Sequence, residues 1–166
     1  MKYAIVYASQ TGNTKLLAEA VRDTLPQEDL LYFGEPCAQA LEADRIYVGF
    51  WTDKGSCDGK TQDFLKTVVG QQIFLFGTAG FGGDPAYYEK ILAKVKKNLG
   101  DEAQVVGTYM CQGKMPMSVR ERYVKMLENP VHMPNLKNMI HNFDLALSHP
   151  DSRDLENLVS SLPAAE

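Results

Sequence analysis

Three hydroxyl side chains and one glycine crowd into Ser9-Gln10-Thr11-Gly12-Asn13-Thr14. The preceding apolar run, Tyr3-Ala4-Ile5-Val6-Tyr7-Ala8, reads as a strand. Lys15 to Leu25 follows with Leu16, Leu17, Ala20, Val21 and Leu25 at helical spacing. A strand, a hydroxyl-rich turn and a helix start together make a phosphate cradle. Backbone N–H groups at a helix N-terminus are unpaired and the dipole there favours an anion. Gly12 lets the backbone approach closely, and Ser9, Thr11 and Thr14 add hydroxyl donors. An ordinary strand-to-helix turn capped by Ser or Thr has the same composition. Two other phosphate loops do not fit. A P-loop needs G-x-x-x-x-G-K-[ST], and Gly59-Lys60-Thr61 has Lys54 where the earlier glycine belongs. A dinucleotide turn needs G-x-G-x-x-G, and this turn has a single glycine.

Three further stretches follow apolar runs. Phe50-Trp51-Thr52-Asp53-Lys54-Gly55 puts the only tryptophan of the chain directly after Arg45-Ile46-Tyr47-Val48-Gly49. That indole suits stacking on a planar ring, or covering the end of the sheet. Thr78-Ala79-Gly80-Phe81-Gly82-Gly83 sets one aromatic among glycines, as a second ring wall or as a plain flexible loop. Cys111-Gln112-Gly113-Lys114-Met115 is small and polar, and alone says little.

The elements that must position these loops alternate. Strands are expected over 3–8, 29–33, 45–50, 72–76 and 104–110, and helices over 15–25, 60–69, 85–99 and 118–127. Gln72-Ile73-Phe74-Leu75-Phe76 is nearly all apolar, as a central parallel strand buried on both faces should be. Asp84 followed by Pro85 suits a helix start, and Gly100 a helix stop. Such alternation implies right-handed crossovers and a parallel sheet with helices on both faces. Ligands then bind beyond the carboxyl ends of the strands, where all four loops lie. Helical stretches over 135–148 and 151–162 complete the chain as a C-terminal appendix, about 130–163, of a single domain, 1–166. Ser148-His149-Pro150-Asp151 reads as a helix stop and restart, with Asp151 or Ser152 as the cap.

The 166 residues, 45% apolar and 23% charged, suit one soluble domain with a real core. No run approaches about 18 apolar residues, so no membrane span is expected. A net charge of −4 argues against a nucleic-acid partner. Cys37, Cys57 and Cys111 show neither a C-x-x-C pair nor metal-ligand spacing, which suits a reducing cytoplasm. No metal site and no catalytic residue is expected. Cys57 and Cys111 read as packed cysteines rather than redox thiols. A phospho-receiver would need an acidic pair after the first strand, where Tyr7-Ala8-Ser9 stands, and an Asp where Phe50-Trp51-Thr52 stands.

Ser9 to Thr14 meets every defined position of S/T-x-T-G-x-T, the phosphate loop of the flavodoxins. The chain resembles that family through this loop and both aromatic loops, from residue 1 to about 110. Gly49-Phe50-Trp51-Thr52-Asp53-Lys54-Gly55, Phe76-Gly77-Thr78-Ala79-Gly80, Cys111-Gln112-Gly113-Lys114 and Ser148-His149-Pro150-Asp151 look closer still to a single-domain flavodoxin-like branch. Members of that branch are sometimes found as accessory proteins of bilirubin reductases. The resemblance implies a flavodoxin-like doubly wound five-stranded sheet, order 2-1-3-4-5, and a non-covalent FMN. Ser9, Gln10, Thr11, Gly12, Asn13 and Thr14 would bind the phosphate. Phe50, Trp51, Thr52, Asp53, Lys54 and Gly55, with Thr78, Ala79, Gly80, Phe81, Gly82 and Gly83, would surround the ring. Trp51 and Phe81 would flank it, and Gly55 would let a carbonyl turn toward the reduced flavin. The implied function is electron transfer to a partner oxidoreductase, by a cytoplasmic monomer. Alternatives are an accessory reductase subunit and a small NAD(P)H-dependent quinone reductase. Typical carriers of the family are strongly acidic, whereas this chain is only mildly so.

Overall fold

Residues 1–164 are described by a computed structural model, so the last two of the expected domain lie outside the described residues. Five parallel strands run in the order β2-β1-β3-β5-β6: β1 (Tyr3–Tyr7), β2 (Leu30–Gly34), β3 (Arg45–Asp53), β5 (Gln72–Ala79) and β6 (Gln104–Gln112). Counting parallel strands alone, this is the expected 2-1-3-4-5. A two-residue strand, β4 (Ser56–Cys57), pairs antiparallel with the end of β3.

The two faces of the sheet carry separate cores. Period-two alternation sends Ile46, Val48 and Phe50 to one face, beneath Phe64 and Leu65 of α2 (Gly59–Leu65) and Ile91, Leu92 and Val95 of α3 (Pro85–Lys96). It sends Tyr47 and Phe74 to the other, beneath Leu17, Ala18 and Val21 of α1 (Asn13–Thr24). Helix α4 (Met117–Leu127) packs on α5 (Leu136–Ala146). Helix α6 (Ser152–Ser161) packs on α1 and β6, and its Leu158 is wholly buried in the α1-side core. This part of the expected appendix is therefore an outer helix of the sheet itself. The Tyr109 hydroxyl of β6 ties it down by donating to the Asp154 carbonyl, 2.7 Å away.

Local chemistry sets the boundaries. The Asp84 carboxylate accepts from the Ala86 N–H at 3.0 Å, with Pro85 at the first helical position of α3. At α6, Asp151 and Asp154 form a reciprocal capping box. Helix α2 stops four residues short of the expected Val69. The Thr67 hydroxyl donates back to the Phe64 carbonyl at 2.6 Å, and Gly70 follows at φ 79°. β-Branched residues there weaken helix continuation.

Strands β3, β5 and β6 run two to three residues beyond their expected ends of 50, 76 and 110. Trp51 thus pairs with Thr78 inside the β3–β5 ladder, as Phe50 does with Gly77 and Gly49 with Phe76. Each ring lies across the glycine opposite it. A Cβ on Gly49 would stand 2.5 Å from the Phe76 ring, and one on Gly77 would collide with the Phe50 ring.

Candidate functional site

Four segments meet beyond the carboxyl ends of β1, β3, β5 and β6. The first turns from β1 into α1 at Gly12, whose φ of 89° favours glycine. Ser9 Oγ accepts from the Gly12 N–H at 3.1 Å and the Lys15 N–H at 3.3 Å. Among the described residues, the Asn13 and Thr14 N–H groups at the start of α1 have no acceptor. They remain available to an anion. Thr14 is turned inward, almost wholly buried, with its hydroxyl 3.4 Å from that of Thr78. Its side chain turns into the protein, because β5 packs directly beneath it.

The Asn13 side chain is also buried and donates to the Lys114 carbonyl at 2.8 Å. That bond draws the β6–α4 loop over to the phosphate turn. The Gly113 N–H donates to the Ala79 carbonyl and the Lys114 N–H to the His149 carbonyl, each at 2.9 Å. The Gly80 carbonyl accepts from Gln112 Nε2 and Asn142 Nδ2, both at 3.0 Å. Thr52 Oγ1 donates to the Thr78 carbonyl at 2.8 Å, holding the ends of β3 and β5 together.

The result is a cleft of about 190 Å³ lined by Gln10, Thr11, Asn13, Trp51, Thr52, Thr78, Ala79, Gly80, Lys114, Met115, Pro116 and Val119. A second hollow of about 400 Å³ shares Gln10 and Trp51 and adds Ala8, Ser9, Glu35, Asp58, Gly59 and Lys60. Trp51 stands between them, half-buried. Together the two hollows reach the size of a small-ligand site.

Of the residues expected to bind, Ser9, Gln10, Thr11, Asn13, Trp51, Thr52, Thr78, Ala79 and Gly80 line these hollows. The others do not. Phe50 is fully buried in the core, because the strand alternation that turns Trp51 to one face turns Phe50 to the other. Asp53 pairs with Ser56 across a hairpin whose turn is Lys54 and Gly55, at φ 51° and 79°. Positive φ at both central positions is the signature of a tight type I′ turn. This turn lies by α3, where a Cβ on Gly55 would come 3.3 Å from Lys94 Nζ. Phe81 sets its ring edge-on to Tyr87, 6.4 Å between centroids, and Gly82 lies against the Gln112 side chain. With Gly83, both fall outside either lining.

Sequence reasoning missed Lys114, Met115, Pro116 and Val119. Met115 packs over Gly80, where a Cβ would be 2.5 Å from its sulfur. The available signal was positional, since Gly113-Lys114 follows a strand at the same sheet edge as the other loops. Glu35, Asp58 and Lys60 of the second hollow gave no such signal.

Cys57 and Cys111 are buried in opposite cores and line neither hollow. Burial, with Asp58 beside it, pushes the Cys57 thiol up to about 11. Burial first, and then the charge of Asp154, raises Cys111 as well. Neither is a ready thiolate. His149, Asp151 and Asp154 bring potential ligand atoms within 4.8 Å of one another. Their bonds are already assigned, however. Asp154 accepts from the Asp151 N–H and meets His149 Nδ1 at 2.6 Å, as part of the cap of α6.

A doubly wound sheet of this order with its cleft at these loops is a flavodoxin-like fold. Flavodoxin 2 from Bacillus cereus shares it with a TM-score of 0.53 at 17% identity, over 96% of this chain and 94% of that one. So does a flavoprotein from Lactobacillus acidophilus NCFM, crystallised in complex with FMN, with a TM-score of 0.50 at 14% identity over 66% of this chain and 93% of that one. The family model described as Flavodoxin domain matches residues 4–162, and the chain belongs to that family. A Flavodoxin-like domain-containing protein BilS from Clostridium symbiosum (strain WAL-14163) is 41% identical, over 99% of this chain and 98% of that protein. Among the described residues no helix is long and apolar enough to cross a membrane.

Proposed function

We propose that this chain holds FMN at the carboxyl edge of its sheet and passes electrons to a partner reductase. The observation that carries the reading is that Gln10, Thr11 and Asn13 of the phosphate turn share one cleft with Trp51. An anion-binding helix start and a stacking surface within one cleft match a ligand with a phosphate at one end and a planar ring system at the other. The residues present fit such a group: free N–H donors at Asn13 and Thr14, the indole of Trp51, and the apolar flank of Met115, Pro116 and Val119. Bound there, FMN supplies the one- and two-electron redox chemistry that no side chain of the cleft offers.

The chain's own part is to bind, orient and shield. The start of α1 fixes the phosphate end, Trp51 sets the plane of the ring, and the β6–α4 loop, held by Asn13, excludes water on one side. The sequence carries no G-x-G-x-x-G dinucleotide motif, which favours a carrier over a stand-alone NAD(P)H-dependent reductase. The Gly49–Gly55 and Cys111–Lys114 strings, which resemble the branch accompanying bilirubin reductases, support an accessory role beside one of those. A cytoplasmic setting and a single flavodoxin-like domain belong to the same reading.

The test is the absorption spectrum of the purified chain with added FMN, followed by stepwise reduction and mixing with a candidate reductase. Flavin bands shifted from those of free FMN, and electrons delivered to the partner without NAD(P)H turnover, are expected. A protein that takes up no FMN would refute the cofactor reading. Rapid turnover with NAD(P)H and a quinone would replace the carrier by the enzyme.

A further inference from the structure

We propose that a stripe of lysines beside the cleft, Lys54 on the β3–β4 hairpin with Lys90, Lys94 and Lys97 along α3, is the docking face for an acidic protein surface that carries the electron acceptor. The inference rests on the electron-carrier reading above and adds the chemistry of the partner.

Steps of three and four residues put Tyr87, Lys90, Lys94 and Lys97 along one side of α3 and its C-cap. A Cβ on Gly55 would come 3.3 Å from Lys94 Nζ, so that ammonium reaches over the hairpin turn, next to Lys54. A type I′ turn prefers Asn, Asp or Gly where φ is positive, yet Lys54 occupies that position at φ 51°. All four lysines are exposed. Among the described residues none of them makes an ion pair. The acids nearest in sequence leave them unanswered. Asp84 caps α3 through the Ala86 N–H, Glu89 falls on another side of the helix, and Asp53 stands in the hairpin without an ion pair. Four unpaired cations on a chain of net charge −4 are a segregated patch rather than a charge-balanced solvated face.

The patch adjoins the cleft at two points. Thr52 lines the cleft two residues before Lys54, and Gly80 lines it one residue before Phe81. Phe81 is 40% exposed and sets its ring edge-on to Tyr87, at the head of the stripe. An aromatic anchor bordered by charge is the make-up of a protein-docking face. A protein seated there lies beside the mouth of the cleft, within reach of the electrons of a bound flavin. Its face must be acidic, because a basic one would be repelled by the four lysines. A nucleic acid would answer the same charges but carries no acceptor for an electron.

The experiment uses two small redox proteins of opposite charge as probes, oxidised rubredoxin, which is acidic, and oxidised cytochrome c, which is basic. The full chain is loaded with FMN and reduced. Each ferric iron then takes one electron, and the reduced flavin gives up two and releases its protons to solvent. Stopped-flow rates are compared for the wild type, a Lys54→Gln/Lys94→Gln variant, and a Lys2→Gln/Arg22→Gln control that makes the same charge change at the amino end of the sheet. The wild type should reduce rubredoxin faster at low salt than at high salt, and cytochrome c the reverse. The stripe variant should slow rubredoxin by roughly tenfold at low salt and flatten both salt dependences, while the control changes them far less. Equal effects of the two variants would overturn the site, and cytochrome c favoured at low salt would overturn the sign. Calorimetric binding of rubredoxin to the flavin-free chain should weaken in the stripe variant alone. Duplex DNA that binds through Lys54 and Lys94 more tightly than rubredoxin would overturn the proposal in favour of a nucleic-acid face. A chain that takes up no FMN would overturn the carrier reading, while the calorimetric arm still decides the charge of the docking face.

Discussion

Asn13 is the residue through which the phosphate turn and the β6–α4 loop act as one unit, and replacing it separates two explanations of that contact. Its Nδ2 donates to the Lys114 carbonyl at 2.8 Å, and a Cβ on Gly113 would stand 2.5 Å from the same nitrogen. The amide is therefore clamped with little room to shift. Asn13→Ala removes one hydrogen bond, a net loss of about 1 kcal/mol, since water can reach the loop carbonyl once the amide has gone. Asn13→Asp keeps the shape but sets an acceptor against an acceptor. An unsatisfied polar group in a part-buried contact adds about 1–3 kcal/mol, while an acid at a helix start returns about 0.3–1 kcal/mol. The isosteric variant should thus be the worse of the two, by about 1–2 kcal/mol. Chemical denaturation gives the stability of each. Hydrogen exchange at the Gly113 and Lys114 amides, bonded to Ala79 and His149, should accelerate in both variants and most in Asn13→Asp. An Asp variant as stable as the wild type, or exchange that is unchanged, would refute the clamp.

Other consequences follow from the same geometry. As the only tryptophan, Trp51 reports its own site: FMN titration should quench its fluorescence to saturation, and Trp51→Ala should weaken FMN and riboflavin alike, by roughly tenfold. Emission that stays constant through a titration that binds flavin would remove Trp51 from the site. Gly55→Ala should cost about 1–2 kcal/mol in a denaturant melt, because Gly55 sits at φ 79°, yet leave flavin affinity unchanged, because the hairpin lines neither hollow. A change in affinity without a change in stability would set the hairpin against the flavin after all. The Cys57 thiol, ordinarily near 9 and pushed up to about 11 by burial, binds its proton more tightly folded than unfolded. Its contribution, on the order of 2 kcal/mol, is complete below pH 9 and lost as pH rises toward 11. Thermal melts from pH 8 to 11 should show that decline, and Cys57→Ala should flatten it.

Fold and site were unequally legible. The parallel sheet followed from alternation, because right-handed crossovers leave few arrangements, and the order of its strands from the resemblance to the flavodoxins. Strand ends were not legible, since Trp51-Thr52 and Thr78-Ala79 are paired residues whose composition matches a loop. That error carried into the site. A loop after Phe50 would let every residue from Phe50 to Gly55 turn to a ligand, whereas a strand through Asp53 commits alternate residues to opposite faces. Phe81 lies outside both hollows for a different reason, as its partner Tyr87 lies on a helix and no sequence spacing ties the two rings together. Lys114 was visible as a residue but not as a neighbour of Asn13, because a hydrogen bond spanning 101 positions leaves no local trace.

The paired glycines and phenylalanines explain why the cleft stands where it does. Gly49 faces Phe76 and Phe50 faces Gly77 in adjacent rungs of one ladder, so each strand lends a ring to the bare backbone of the other, on opposite faces. A one-residue slip in one direction would set Phe50 against Phe76, and in the other Gly49 against Gly77, leaving a collision or a void in a close-packed core. Register is thereby pinned one step below the rung Trp51–Thr78, which opens the cleft. From that rung the Thr52 hydroxyl bonds the Thr78 carbonyl, and the Thr78 hydroxyl meets Thr14 at the root of α1. The indole and the phosphate turn are therefore held to a common frame by the sheet, and the β6–α4 loop is bonded to that frame by Gly113 on Ala79 and to the phosphate turn by Asn13 on Lys114. A fixed indole, a fixed helix start and a loop wall tied to both suit a ligand gripped at one end and left accessible at the other.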